Sequence, residues 1–366
     1  MNTDNNLLKS KTKSLQRSIK NFLEINRKGT PLTMSFLVTN RCNLCCKHCF
    51  YHYNFLKSSQ KSPQELTIDE YIKISNSMEN FMKGIFSGGE PFLREDLYEI
   101  IYLFQKKNKV LWCSSSTNGQ NAEKIIFQVD KIVSRNPYHH FSLALSLDGF
   151  QEYHDLIRGS GTFQKAINTW HELCHVCKLY KNLEIYICPT INSINKNIMP
   201  KFIDWCVDEL KPAFVSLLKI RQEPRDGVYL KDINIDEYDL CKNVIEKQIK
   251  KNKMGDINQP QTYINYSICY YVSETLKTGK RSFQCFAGKH GGFIDYDGNV
   301  GVCEIIEYLG NLRDYNYDFL ALWNDEKNIA QRSRIHNESC CIDCTHETEG
   351  IIPSIFFGDN KIITDL

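Results

Sequence analysis

Residues 34–50 read Met-Ser-Phe-Leu-Val-Thr-Asn-Arg-Cys-Asn-Leu-Cys-Cys-Lys-His-Cys-Phe. The first six, Met34–Thr39, form an apolar run of the length of a buried strand. Directly behind it lies a loop with four cysteines: Cys42, Cys45, Cys46 and Cys49. Cys42, Cys46 and Cys49 are spaced C-x3-C-x2-C. Three thiolates from one tight loop can reach three irons of a cubane and leave the fourth iron without a protein ligand. Zinc more often takes four ligands in paired C-x2-C knuckles, and a zinc set of Cys45, Cys46, His48 and Cys49 is awkwardly crowded.

Beyond this loop, short apolar runs alternate with longer helical patterns. The runs are Gly84–Ser87, Val110–Thr117, Phe141–Leu147, Leu183–Thr190 and Phe214–Ile220. Helical patterns fall between them, as in Ile68–Met82 and Asp96–Lys106. Such alternation predicts βαβ units, hence an α/β fold built as a partial (β/α)6 TIM-type barrel. Its chemistry is expected at the C-terminal ends of the strands, where the cysteine loop falls. Residues 1–33 carry a basic amphipathic helix pattern, with seven Lys/Arg over 9–28 against one acid, Glu24. The barrel is expected over 34–225, a connecting helical segment over 226–282, and a small C-terminal β-hairpin/helix module with cysteines over 283–350. Residues 351–366 read as a tail. Tyr263, Tyr266, Tyr270 and Tyr271 in the connecting segment read as a packed helix face rather than a substrate channel.

Four further strand ends carry polar motifs. Ser87-Gly88-Gly89-Glu90-Pro91 offers two glycines that let a backbone approach closely, and a carboxylate that can accept from an ammonium group. Ser116-Thr117-Asn118-Gly119, Ser146-Leu147-Asp148-Gly149 and Thr190-Ile191-Asn192 offer small hydroxyl and amide groups. Arg158 follows in His154-Asp155-Leu156-Ile157-Arg158-Gly159, where a surface ion pair competes with a ligand contact.

The C-x3-C-x2-C spacing followed by the aromatic Phe50 resembles the signature of the radical S-adenosylmethionine superfamily. The resemblance covers roughly residues 34–220, with motifs in the family's order. It implies a [4Fe–4S] cluster on Cys42, Cys46 and Cys49, with an open iron that binds S-adenosylmethionine. Reductive cleavage then gives a 5′-deoxyadenosyl radical that abstracts a substrate hydrogen. The cofactor contacts it implies are Phe50, Gly88, Gly89, Glu90, Ser116, Asn118, Ser146, Arg158 and Thr190. It also implies an electron donor such as flavodoxin or ferredoxin. Asp148 and the spare Cys45 are candidate catalytic residues, with Cys241 as another hydrogen donor and Arg221 and Glu223 as substrate contacts.

Cys285, Gly298 and Cys303 are spaced C-x12-G-x4-C around a predicted hairpin with an Asp297-Gly298 turn. Cys341 and Cys344 can complete a four-thiolate set, with Cys340 as an alternative to Cys341. Such a set suits either a second [4Fe–4S] cluster or zinc. The pattern is similar to the SPASM and shortened, twitch-type extensions of radical enzymes, which implies one auxiliary cluster.

The chain has 366 residues, 42% hydrophobic and 24% charged, with a net charge of +2 and sixteen cysteines. Near-neutral charge gives no reason to expect nucleic acid as partner. There is no apolar stretch of membrane-spanning length and no signal-peptide pattern, so a cytoplasmic location is expected. Clustered cysteines in such a chain point to metal rather than to disulfides. The first functional expectation is oxidation of a small molecule such as a sugar or aminocyclitol. Radical modification of a peptide or protein (cross-linking, epimerisation or maturation) is the alternative. A non-catalytic iron–sulfur or zinc protein is the third.

Overall fold

The computed structural model describes residues 29–51, 64–251, 253–254, 260–283, 285–304 and 307–335. The basic pattern of 9–28, Cys340, Cys341, Cys344 and the tail 351–366 lie outside these residues. The barrel begins with β1 (Thr33–Thr39), α1 (Ile68–Ser77), β2 (Lys83–Gly88), α2 (Leu97–Lys107), β3 (Trp112–Thr117) and α3 (Ala122–Arg135). It continues with β4 (His140–Leu145), α4 (Gln151–Arg158), α5 (Thr162–Leu179) and β5 (Leu183–Ile187). β1 to β5 pair in order and in parallel, so their C-terminal ends share one edge of the sheet.

Side chains bound α1 at both ends. Thr67 and Glu70 form a reciprocal capping box that starts α1. The apolar pattern of this segment runs to Met82, but α1 ends at Ser77. The Asn108 amide donates to the carbonyls of Ser75, Met78 and Glu79, which closes the chain into a turn. Beneath the first strands the core is aromatic. Phe36 stacks on Phe86 with centroids 5.1 Å apart and meets Phe104 at 4.5 Å. Every residue of β1 is buried.

The sixth strand is shorter than the run Phe214–Ile220 predicts. Val215 makes an isolated parallel bridge with Ile187, and β7 (Leu218–Lys219) pairs only with β6 (Thr190–Ile191). Pro189 separates β5 from β6 because it has no N–H for the ladder. Its carbonyl still accepts from Leu218 N–H at 2.8 Å, so this chain stays beside β5. Between β6 and β7 lies α6 (Met199–Trp205). Two long helices follow, α7 (Ile235–Lys250) and α8 (Pro260–Thr278), which pack on each other. On α8, Tyr266 and Tyr271 are buried, and Tyr263 and Tyr270 pack against the core.

The predicted hairpin is present as β8 (Gly291–Ile294) and β9 (Asn299–Gly301), with Gly298 at φ +89° in the turn. β8 also pairs in parallel with β1, Thr33 opposite Gly291 and Phe36 opposite Ile294. The hairpin and the short β10 (Gly310–Asn311) thereby extend the barrel sheet to eight strands, in the order β10-β9-β8-β1-β2-β3-β4-β5. α9 (Phe319–Trp323) and α10 (Glu326–Ile335) follow.

The glycine pair after β2 sets how closely the cysteine loop can lie. Gly88 has φ +130°, and a Cβ there would sit 2.3 Å from the Thr39 carbonyl oxygen. A Cβ on Gly89 would sit 2.2 Å from the Arg41 oxygen. What the two glycines admit is therefore the backbone at the end of β1. Gly89 N–H donates to Thr39 O and Glu90 N–H to Arg41 O, at 2.9 and 2.8 Å. Gly89→Ala should force these backbones apart and cost about 1–3 kcal/mol, measured as a lower thermal midpoint of the apoprotein. Phe36→Ala should cost about 3–5 kcal/mol by opening a cavity in the aromatic core, measured by denaturant unfolding.

Candidate active site

The cysteine loop has little regular structure, so its backbone groups find partners on other segments. Lys47 N–H donates to Ile157 O at the end of α4. Asp226 N–H donates to Lys47 O, and Arg225 N–H to Cys49 O. Within the loop, Cys49 N–H donates to Cys46 O. Arg94, nearly buried, donates to the carbonyls of Val38 and Leu66 and pairs with Asp96. Thr39 and Arg41 both bond Glu65. Apart from Ile157, the residues that pin both stems of the loop are thus ones that no motif in the sequence singles out.

Glu90 is buried beneath the loop. Its carboxylate accepts from Thr117 Oγ1 at 2.9 Å, from Asn118 N–H at 2.7 Å and from Phe92 N–H at 3.3 Å. A carboxylate has about four acceptor positions, which leaves one open. Burial pushes its pKa up to about 7, although the donors from Asn118 and Thr117 hold it down in part. Asn118 also turns its amide toward the loop, at 2.7 Å from Asn43 Oδ1 and 4.0 Å from Cys42 Sγ. Thr117 is a residue the strand-end motif contains but whose role only the geometry reveals.

Asp148 and Arg158 form a buried ion pair, with Arg158 Nε 2.6 Å from Asp148 Oδ2. Arg158 makes no surface pair: its side chain is 8% exposed and that of Asp148 is 0%. The other carboxylate oxygen of Asp148 accepts Thr190 N–H at 2.9 Å, and its main-chain oxygen accepts the Asn195 amide. Burial raises the Asp148 carboxyl, but Arg158, and to a lesser degree His48, hold it down at about 2. Arg158 Nη1 lies 3.9 Å from Cys46 Sγ. His48 Nδ1 is 3.7 Å from Asp148, too far for a hydrogen bond, and burial lowers its pKa to about 4. His154 accepts the Asp148 N–H and is lowered to about 4, again by burial.

The remaining sites fall in different places. Ser116 and Ser146 are half-buried at the ends of β3 and β4, and Ser146 N–H bonds Thr117 O. Thr190 is half-buried and tied to Asp148, and the Asn192 side chain closes its own turn. Cys45 is exposed. Cys241 is fully buried on α7, where Cys269 is its neighbour, away from the strand ends. Arg221 lies over the Phe50 ring at 4.6 Å and pairs with Glu304 at 2.9 Å, and Glu223 is exposed. Cys285 is half-buried before β8, and Cys303 is buried after β9. Tyr51 and Tyr308 both donate to Asp295, which joins the cysteine loop to the hairpin. Burial raises the Asp295 pKa to about 6.

The donor set suits an iron–sulfur cluster. Cys42, Cys46 and Cys49 are not joined in disulfides. Burial raises Cys42 to about 11 and Cys46 to about 12, so metal binding must drive their deprotonation. Hydrogen-bond donors of Asn118 and Arg158 face two of the three sulfurs, as anionic thiolates require. Among the described residues no three His, Cys, Asp or Glu side chains converge as ligands of a single ion. Cubane thiolates bind separate irons and need not do so. Among the described residues no helix is long and apolar enough to cross a membrane.

Comparison with known proteins agrees with this chemistry. Residues 36–192 match the Radical SAM superfamily, and residues 285–345 match an iron–sulfur cluster-binding domain, SPASM. The chain is similar to Fe-coproporphyrin III synthase of Methanosarcina barkeri, 24% identical over 306 residues, or 79% of this chain and 72% of that one. It is 25% identical over 330 residues to a cysteine-type anaerobic sulfatase-maturating enzyme of Clostridium perfringens, covering 83% of each. Its fold is like that of Streptococcus suis SuiB, solved with S-adenosylmethionine bound, at a TM-score of 0.59 and 15% identity over 88% of this chain and 73% of SuiB. SuiB has also been solved with its precursor peptide SuiA. The cofactors are accordingly a [4Fe–4S] cluster, S-adenosylmethionine and an auxiliary iron–sulfur cluster. The chain belongs to the Radical SAM superfamily and is an enzyme of that family, with a C-terminal iron–sulfur cluster-binding domain.

Proposed function

We propose that this enzyme modifies a peptide or protein side chain by radical chemistry. The observation that carries this reading is the similarity to a sulfatase-maturating enzyme along 83% of both chains. The likeness in fold to SuiB is in keeping with it. The expectation of a sugar or aminocyclitol substrate gives way to it. A second reading, action on a tetrapyrrole-type small molecule, is favoured by the similarity to Fe-coproporphyrin III synthase over 79% of this chain.

Within the proposal, Cys42, Cys46 and Cys49 hold the cluster, and Cys285, Cys303, Cys341 and Cys344 hold the auxiliary one. When bound, the first cluster supplies the electron that cleaves S-adenosylmethionine to a 5′-deoxyadenosyl radical, which takes a hydrogen from the substrate. Glu90 offers its open acceptor position to the amino group of the methionine moiety. Arg158 offers a guanidinium N–H to the carboxylate. Asn118, Ser116, Ser146 and Thr190 edge the place for the nucleoside, and Phe50 walls it under Arg221. An electron donor such as flavodoxin or ferredoxin completes the system.

The test is anaerobic reconstitution, reduction with dithionite and measurement of 5′-deoxyadenosine. Formation should depend on Cys46, so Cys46→Ala should abolish it. Iron analysis should give about eight irons per chain for two four-iron clusters; about four would remove the auxiliary one. Co-expression with short reading frames flanking the gene should change the mass of one encoded peptide, and only with intact Cys46. Turnover driven by a tetrapyrrole or an aminocyclitol, with no peptide changed, would overturn the peptide reading.

A further inference from the structure

We propose that Asp148 is a positioning residue: it holds Arg158 against Cys46 and so sets the charge that the cluster feels when it takes up an electron. This rests on the reading of Cys46 as a cluster ligand.

The position of Asp148, in the strand-end motif after β4, suggests contact with substrate. The geometry points elsewhere. Asp148 is 0% exposed, and both carboxylate oxygens are engaged, one by Arg158 Nε at 2.6 Å and one by Thr190 N–H at 2.9 Å. Its main chain is held as well, by the Asn195 amide at 2.8 Å and by His154 Nδ1 at 3.2 Å. The carboxylate is therefore fixed from several segments of the chain and cannot turn toward a ligand.

Arg158 translates that fixity. A guanidinium is planar and its N–H directions are rigidly related, so anchoring Nε also aims Nη1. Nη1 lies 3.9 Å from Cys46 Sγ. Both groups are buried, so their charges are weakly screened by salt and solvent. A cation this close favours an added electron on the iron–sulfur unit, and the carboxylate behind it opposes that effect. His48 Nδ1, 3.7 Å from the carboxylate, and His154, whose Nδ1 accepts the Asp148 N–H, are the other titratable groups facing Asp148. The two members of the pair thus pull the same property in opposite directions, which a purely structural ion pair would not do.

The experiment is potentiometric titration of the reconstituted full-length protein, followed by electron paramagnetic resonance. The signal that changes on adding S-adenosylmethionine identifies the first cluster. Asp148→Asn, whose amide oxygen still accepts from Arg158 Nε and so keeps the guanidinium in place while removing the carboxylate charge, should move that cluster's midpoint to a more positive potential, and Arg158→Gln to a more negative one. The double variant should return toward the wild-type value. Asp148→Glu, which keeps the charge, should stay near wild type. If Asp148→Asn fails to take up iron, Arg158→Gln and Asp148→Glu decide the matter. Wild-type potentials in Asp148→Asn and Arg158→Gln, or shifts of the same sign, would overturn the proposal. An S-adenosylmethionine-responsive signal retained in Cys46→Ala would overturn the ligand assignment beneath it instead.

Discussion

Lys47 and Cys49 find backbone partners on α4 and on residues 225 and 226, while the carbonyls of Thr39 and Arg41 accept from Gly89 and Glu90. The cysteine loop depends on these bonds because it has no ladder of its own, and an unmet buried backbone group is costly. The parallel sheet makes them available. β1 and β2 run side by side with Thr39 opposite Gly88, so the loop leaves β1 beside the glycine turn. Any side chain on those glycines would occupy the space of the loop's own carbonyls. The position of the thiols is thus fixed by contact between backbones before any ligand enters.

Beneath the loop, two buried carboxylates behave in opposite ways. Glu90 has only neutral donors at hydrogen-bond distance, and burial raises it to about 7 from its ordinary 4.5. The contribution of Glu90 to the stability of the fold is therefore fullest below about pH 4.5, and is lost as pH rises through about 7. Asp148 has Arg158 at 2.6 Å and is held at about 2 against an ordinary 3.8. Its contribution is complete above 3.8 and is lost as pH falls through about 2. At neutral pH one carboxylate is firmly ionised and the other sits near its midpoint, ready to be biased by a cationic group.

Much of this is legible in the sequence, because strand ends and cysteine spacing are local features. Met34–Thr39 reads as a strand from its hydrophobic run alone, and the cysteine segment behind it as a loop at the strand's C-terminal end. Less legible are features that depend on distant partners. α1 stops at Ser77 because Asn108, some thirty positions away in sequence, takes its carbonyls. Asp148 looks like a reactive carboxylate until Arg158, Thr190 and Asn195 are seen around it. Gly88 and Gly89 suggest room for a ligand, whereas the nearest atoms belong to residues 39 to 41. The pairing of Gly291–Ile294 with β1 has no sequence signal, since a parallel partner can come from any later segment.

That last pairing gives the two cysteine regions a shared frame. Cys303 follows β9, whose hairpin partner β8 lies against the strand that leads into Cys42. Two side-chain links reinforce the seam. Tyr51, two residues beyond Cys49, donates to Asp295 at 3.4 Å. Glu304, next to Cys303, pairs with Arg221, whose guanidinium covers Phe50, next to Cys49. Gln222 also reaches the Glu304 carbonyl, at 3.5 Å, and Arg225 holds the Cys49 carbonyl. Residues 221–226 therefore touch both cysteine segments, through the side chains of Arg221 and Gln222 and through the backbone of Arg225 and Asp226. A shift of the hairpin relative to β1 would disturb the aromatic wall beside Cys49, and a shift of the loop would break the ion pair beside Cys303. The geometry of one cysteine site is in this way a condition on the geometry of the other.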